Sequence, residues 1–349
     1  MTFLRNTWYV AAWSHEVTDQ LFARTLLGQR VLIYRKQNGE AVAIADYCPH
    51  RFAPLSAGRL KGDFVECGYH GLQFDGSGRC VHNPHGTVAP QAASVPAYPL
   101  VERHGILWIW PGDAENADDA VIPDYAYLTA ENSKTVYGGT LVRANNQLIV
   151  DNLLDASHTQ YVHQDLLGTE AFAKSTHEVI EEGTAVHSNY LIPDSRVPEA
   201  YRPYFDGDTR VVEFSVNFRW QPPGLVRNRV SLTPHDRPDN AIRRTGTHLL
   251  TPETATTTHY FFSHTRNFRL SDLRIDEQVR RWQKEGLTEQ DVPMIEACQE
   301  VMRHMGEPTD LDALRPVLLS LDTACVKARR ILTKLIEAEQ HGQRFAVKG

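Results

Sequence analysis

From the N-terminus to about residue 118, apolar residues come in short runs, RVLIYR, AVAIADY, FVECGYHGLQF and ILWIWPGD, separated by QNGE, KGD, DGSG and ERHG. Apolar runs this short, punctuated by Gly and Asp, predict an all-β unit, a small antiparallel sandwich or barrel. The acidic stretch PGDAENADDAVIPDY, poor in large apolar residues and flanked by prolines, marks a linker and divides the chain into 1–118 and 119–349. Beyond it the period changes. QLIVDNLLDASHTQYVH contains neither Gly nor Pro and predicts a helix, whereas RVVEFSVNFRW, THLLTPE and TTTHYFFSHTRNF predict strands. Helical spacing returns in VPMIEACQEVMRHM, where Ile295, Cys298, Val301, Met302 and Met305 form one stripe, and in ACVKARRILTKLIEAEQ. Thr288 and Asp291 make a Thr-x-x-Asp helix-start signal. Strands followed by helices predict an α+β second unit. The segment 165–210, rich in charge, Pro and Gly, predicts a loop lying over something.

Composition narrows the function classes. The 349 residues are 42% hydrophobic and 23% charged, enough for two cores. A net charge of −7 argues against a nucleic-acid partner, which would call for a basic surface. No apolar run reaches the length of a membrane span. In MTFLRNTWYVAAWSHEV, His15 and Glu16 interrupt the apolar stretch that a secretory signal needs. Five cysteines are too few, and odd in number, for a disulfide framework, so a cytoplasmic protein with reduced or metal-bound thiols is expected. Sixteen histidines direct attention to metal chemistry.

Two constellations carry that chemistry. The first is Cys48-x-His50, sixteen residues, then Cys67-x-x-His70. Each loop pairs one thiolate with one imidazole. Zinc sites more often pair like with like, so the pattern suits a two-iron, two-sulfide cluster with Cys48 and Cys67 on the inner iron and His50 and His70 on the outer one; a zinc ribbon is the alternative. Gly58, Gly68 and Gly71 flank the loops. Cys80, Cys298 and Cys325 are left over and read as buried small hydrophobes. The second constellation is DNLLDASHTQYVH, with Asp151, Asp155 and His158 on one helical face. His163 lies about 140° away from His158 on a straight helix, so both reach one metal only if the helix bends or ends between them. Two histidines and a carboxylate form the triad of non-haem Fe(II) oxygenases; a solvated amphipathic helix is the alternative.

Together, Cys-x-His-x16-Cys-x-x-His followed by Asp-x-x-His-x4-His resembles the Rieske non-haem iron oxygenase α-subunits over nearly the whole chain. FLRNTWYVAAW, CPHRFAPLS, YHGLQFD, VDNLLDxxHxxYVH and THLLTPET are similar to the branch holding vanillate O-demethylase, dicamba monooxygenase and toluenesulfonate methyl-monooxygenase. The resemblance implies a Rieske domain followed by a helix-grip (START/Bet v1-like) domain with an antiparallel sheet. It implies a [2Fe–2S] cluster, a mononuclear Fe(II) and O2 as co-substrate. His158, His163 and Asp291 match the iron ligands. Asp155 matches an aspartate that bridges from His70 to His158 of the next subunit in a homotrimer, and Asn152 an amide near the iron. His248, Asn228 and Trp282 fall at substrate contacts. Arg202, Arg210, Arg219 and Arg227 are candidate carboxylate partners among which the sequence does not choose.

The implied reaction is oxidative O-demethylation of a methoxylated aromatic acid to a phenol and formaldehyde. Ring or methyl hydroxylation and N-demethylation are alternatives on the same site, and an electron carrier with a ligand-binding domain is the remaining one. With no flavin or nicotinamide fingerprint in the chain, a separate reductase or ferredoxin is expected as electron donor.

Overall fold

In the computed structural model, which describes residues 3–168, 170–205 and 210–342, the chain divides into two units, a first spanning Phe3–Ile122 and a second from Pro123 onward. The division falls after Ile122, where the sequence had placed it at 118. Short 3-10 turns at Ala114–Asn116 and Asp119–Val121 run through the acidic stretch. Trp8 Nε1 donates to the Asp118 carbonyl at 2.7 Å, Arg103 pairs with Asp119 at 2.8 Å, and Ile122 is buried. The acidic stretch is therefore bound to the first unit.

The first unit is all-β. A three-stranded sheet joins Tyr9–Trp13, Ile106–Ile109 and Leu100–Arg103. A four-stranded sheet joins Phe22–Leu26, Gln29–Arg35, Ala41–Ala45 and Ala97–Tyr98. A second of four carries Arg59–Lys61, Phe64–Glu66, Gln73–Phe74 and Cys80–His82. One core cluster, around Leu32, Tyr34, Ile44, Val65 and Phe74, includes Cys48 and Cys67. Of the other cysteines, Cys325 is buried as expected, Cys80 is half-buried, and Cys298 is exposed.

The second unit is α+β. Its sheet has seven antiparallel strands: β1 Lys134–Val142, β2 Thr176–Glu182, β3 Ala185–Arg196, β4 Val211–Gln221, β5 Leu225–Pro234, β6 Ile242–Thr254 and β7 Thr257–Arg266, in the order β1-β7-β6-β5-β4-β3-β2. Strict alternation in β4 buries Val212, Phe214, Val216, Phe218 and Trp220. The segment 165–210 contains the β2–β3 hairpin, paired in register from Thr176–Leu191 to Glu182–Ala185, and the irregular residues on either side of it place Leu167, Phe172 and Tyr201 over the cavity described below. β2 is an edge strand with mostly exposed, charged side chains, so its alternation carries no apolar face to read.

Helices cover one face: α1 Asn146–Leu154, α2 Thr159–Val162, α3 Leu273–Trp282, α4 Val292–His304 and α5 Thr323–Gln340. The predicted single helix through 147–163 ends at Leu154, with Asp155 as its C-cap, and restarts through a 3-10 turn at Ala156–His158. The helix start expected at Thr288 is also absent: Gln283–Asp291 is a π-helix that joins α3 to α4, and the N-cap is Asp272, accepting from the Arg274 amide. On α4, Ile295 and Met302 are buried with Gln299, while Cys298, Val301 and Met305 are exposed. Gln299 is the tie the apolar pattern hides. It accepts from the Asn145 amide at 2.8 Å and donates to the Pro308 carbonyl at 2.7 Å. Asn145 in turn caps α1 through the Gln147 amide and donates to the Thr309 carbonyl, both at 2.8 Å. At the other end of α1, Arg329 of α5 binds Asp151.

Asn145→Ala removes the cap and leaves a buried carbonyl unmet. A loss of about 2 kcal/mol in urea unfolding is expected; no loss would mean that α1 is held from elsewhere.

Candidate metal centres and cavity

The two cysteine–histidine loops are built on one backbone plan. The Cys48 amide donates to the Ala53 carbonyl and its own carbonyl accepts from Phe52, each at 2.8 Å. The Cys67 amide donates to Leu72 at 2.8 Å and its carbonyl accepts from Gly71 at 3.0 Å. The fifth residue of each loop is left-handed, Phe52 at φ 57° and Gly71 at φ 72°. The loops also meet backbone to backbone. A Cβ on Gly58 would stand 2.0 Å from the Glu66 carbonyl oxygen, and one on Gly68 2.8 Å from that of Ala57. Glycine is needed there for close approach.

This framework sets the donors in two layers. Cys48 and Cys67 are buried side by side and neither is in a disulfide. Burial pushes the Cys48 thiol up to about 11, and the adjacent Cys67 thiol adds to the shift. Such a thiol becomes a thiolate only beside a strong cationic centre. His50 and His70 lie toward solvent with ring centroids 4.5 Å apart, and His85 donates from Nε2 to the His70 carbonyl at 3.0 Å. Two inner sulfurs and two outer imidazoles fit a cluster of two irons.

In the second unit, a second donor set converges. His158, His163 and Asp291 offer ligand atoms that all lie within 4.8 Å of one another. The Asp291 carboxylate oxygen stands 3.0 Å from His163 Nε2 and 3.4 Å from His158 Nε2, and accepts from Asn152 Nδ2 at 3.2 Å. The break after Leu154 allows the two rings to meet. Both are oriented from behind. His163 Nδ1 donates to Gln290 Oε1 at 2.6 Å, and His158 Nδ1 donates to the Asp155 carbonyl. An amide oxygen and a carbonyl only accept, so each Nδ1 carries a proton and each Nε2 is left to face Asp291. Burial alone would raise the Asp291 carboxyl, but the two imidazoles outweigh it and hold it down at about 2. Two imidazoles and a carboxylate on one side of an opening fit a divalent iron with free positions.

That opening leads into a pocket whose empty space, counted with its solvent-open mouth, is about 650 Å³. Leu153, Phe172, Phe214, Val216, Phe218 and Leu287 make its walls largely apolar. Asn228, His248 and Trp282, named from the sequence, all line it. His248 Nδ1 shares a hydrogen bond of 2.6 Å with the Tyr260 hydroxyl. Burial, with the Arg244 charge adding to it, brings His248 down to about 3, so the ring is neutral. Asn228 lies over Gly246, where a Cβ would stand 1.9 Å from its Oδ1.

The four arginines singled out in the sequence are not in the cavity wall. Arg219 and Arg227 pair across β4 and β5 on the sheet face opposite Asn228 and Phe218. Arg202 pairs with Glu199, and Arg210 with Asp236. The arginine in the wall is Arg244. Its signal was legible: counting back from His248 by twos along β6 gives Gly246 and Arg244 on one face. Gln290 left no signal beyond its place beside Asp291. Asp155 caps the Ser157 amide at 2.8 Å.

Comparisons with known proteins agree with this geometry. Residues 7–99 match the family model of the Rieske [2Fe-2S] domain, and residues 142–338 that of the vanillate O-demethylase oxygenase C-terminal domain. The chain is 38% identical to the oxygenase component of dicamba O-demethylase from Stenotrophomonas maltophilia, over 97% of this chain and 99% of that one. It is also 38% identical to the oxygenase component of chloroacetanilide N-alkylformylase from Rhizorhabdus wittichii, over 99% of each. A crystal structure of dicamba monooxygenase with non-heme iron and dicamba superposes with a TM-score of 0.85 at 36% identity, covering 98% of this chain and 100% of that one.

Gln290→Leu removes the acceptor that fixes His163. Iron retention in the second unit under chelator challenge should fall by about 10–100-fold while the visible spectrum of the [2Fe–2S] centre stays; unchanged retention would show that His163 is oriented by packing alone.

Proposed function

The chain belongs to the Rieske oxygenases of the vanillate O-demethylase family, and from that premise we propose that it is a terminal monooxygenase component that converts a methoxylated aromatic acid and O2 to a phenol and formaldehyde. The observation that carries this reading is the convergence of His158, His163 and Asp291 on a largely apolar cavity whose polar side chains include Asn228, His248, Trp282 and Arg244.

Cys48, His50, Cys67 and His70 would hold the cluster, and His158, His163 and Asp291 the mononuclear iron. When bound, the two centres supply single electrons and O2 activation. The chain's own residues do the rest. Gln290 and the Asp155 carbonyl each hold an Nδ1 proton, so both rings turn Nε2 toward Asp291. Asn152 donates to the Asp291 oxygen, which restrains the carboxylate. The apolar walls exclude water from the ring, and Asn228 and His248 fix its rotation, so that a methoxy group rather than a ring carbon is presented. The electron donor is a separate reductase or ferredoxin. A head-to-tail homotrimer in the cytoplasm completes the reading: the Asp155 carboxylate, already next to His158, would meet His70 of a neighbouring copy. Among the described residues, no helix is long and apolar enough to cross a membrane.

Likeness to an N-alkylformylase keeps N-dealkylation as the second reading. Both are tested together. Purified protein should carry about three irons per chain. With a matched reductase it should release formaldehyde from methoxybenzoates and not from N-methylanilides. Two irons per chain would reduce it to a carrier, and hydroxylated rings without formaldehyde would replace demethylation by hydroxylation. Asp155→Asn should leave the cluster signal in electron paramagnetic resonance intact and lower coupled turnover by about 10–100-fold; normal turnover would remove Asp155 from the electron path.

A further inference from the structure

Among the described residues, one charge in the cavity has no carboxylate paired with it. Arg244 is 5% exposed. Its guanidinium lies 5.2 Å from the ring centroid of Tyr201 and 5.4 Å from that of Trp282, and one Nη donates to the Tyr201 hydroxyl. Its Nε and its other Nη are buried with no hydrogen-bond partner. Arg266, equally buried on the neighbouring strand, shows what is missing: it is paired with the Asp276 carboxylate at 2.6 Å.

A guanidinium does not shed its proton at any ordinary pH, and a buried cation is costly unless paired. Two aromatic faces offset part of that cost. The groups around it do not complete the pairing. His248 is neutral, with a bare Nε2, and Asn228 Oδ1 and Trp282 Nε1 are also unpartnered. Asp291 is already engaged by both imidazoles and Asn152. All four unpartnered side chains line the same cavity. The two donors among them, the guanidinium and the Trp282 Nε1–H, are satisfied when an oxyanion enters and accepts from them.

We propose that Arg244 is the anchor for an anionic substituent of the substrate, so that this cavity takes an aromatic ether bearing a carboxylate or sulfonate and rejects its neutral counterpart. The inference rests on the O-demethylase reading and narrows its substrate class. Arg244 sets specificity by binding and takes no part in the reaction at the methyl group. Its removal raises KM for the acid far more than it lowers kcat.

The test uses the holoenzyme and Arg244→Met with 2-, 3- and 4-methoxybenzoate, the matching methoxybenzenesulfonates and the matching methoxybenzamides. Binding is read by calorimetry and turnover by formaldehyde. The wild type should bind its best acid or sulfonate about 100-fold tighter than the corresponding amide, and the carboxylate and sulfonate arms show which oxyanion fits. Arg244→Met should bind acid and amide within a few-fold, with the cluster spectrum unchanged, and Arg244→Lys should restore part of the preference.

The proposal is overturned if the wild type binds the amides as tightly as the acids, if no acid or sulfonate binds, or if Arg244→Met keeps the preference. The wild-type comparison decides even if the variants fail to fold. Anion-selective binding without formaldehyde would sustain the anchor and end the demethylase reading; formaldehyde without anion preference would do the reverse.

Discussion

One carboxylate oxygen organises the second unit. The Asp291 oxygen is approached by two imidazole nitrogens and an amide from a segment 139 residues earlier in the chain. A carboxylate with little solvent contact is costly unless its charge is met, and here the groups that meet it are the same two imidazoles and amide that gather where a metal could bind. The helical pieces on either side must therefore be fixed before the site can form. The ties that fix them are polar and lie out of the cavity: Asn145 with Gln299, and Arg329 with Asp151. The hydrophobic sheet supplies the surface, and these few hydrogen bonds supply the position.

The two centres are assembled by opposite means. In the first unit each half-site is local, a turn in which a cysteine bonds forward to a carbonyl five residues on, and the two turns meet because glycines let their backbones approach. In the second unit the site is built from interrupted helices. The break after Leu154 turns His158 and His163 together, and the π-helical Gln283–Asp291 joins the helix bearing Trp282 to the one that follows Asp291. Wide helical turns are uncommon and recur at functional positions.

That contrast decides what the sequence discloses. The set Cys48, His50, Cys67 and His70 was legible because spacing within a turn is spacing in the sequence. His158 and His163 were legible for the same reason, together with the requirement that their helix be interrupted. Asp291 was reached only by resemblance, because nothing local distinguishes a ligand from a helix-start aspartate; it proved to lie inside a continuous helical rod. The β2–β3 hairpin was hidden by its charged edge strand, and Cys298, Val301 and Met305 by an apolar spacing that turns outward. Arg244 stands apart from the four arginines singled out above because what distinguishes it is its place on the strand face that carries His248.

Gly246 sits where Asn228 must lie, between Arg244 and His248 on the same strand face. Any larger residue there would push the amide out of the cavity, so this position is closed to neutral drift while the aromatic walls around it are not. Descendants of this chain are thus free to change the shape of the ring they accept more readily than the pattern of polar atoms that grips it. Attempts to redirect the enzyme would do best to start from Phe214, Val216 and Phe218 and leave that glycine untouched.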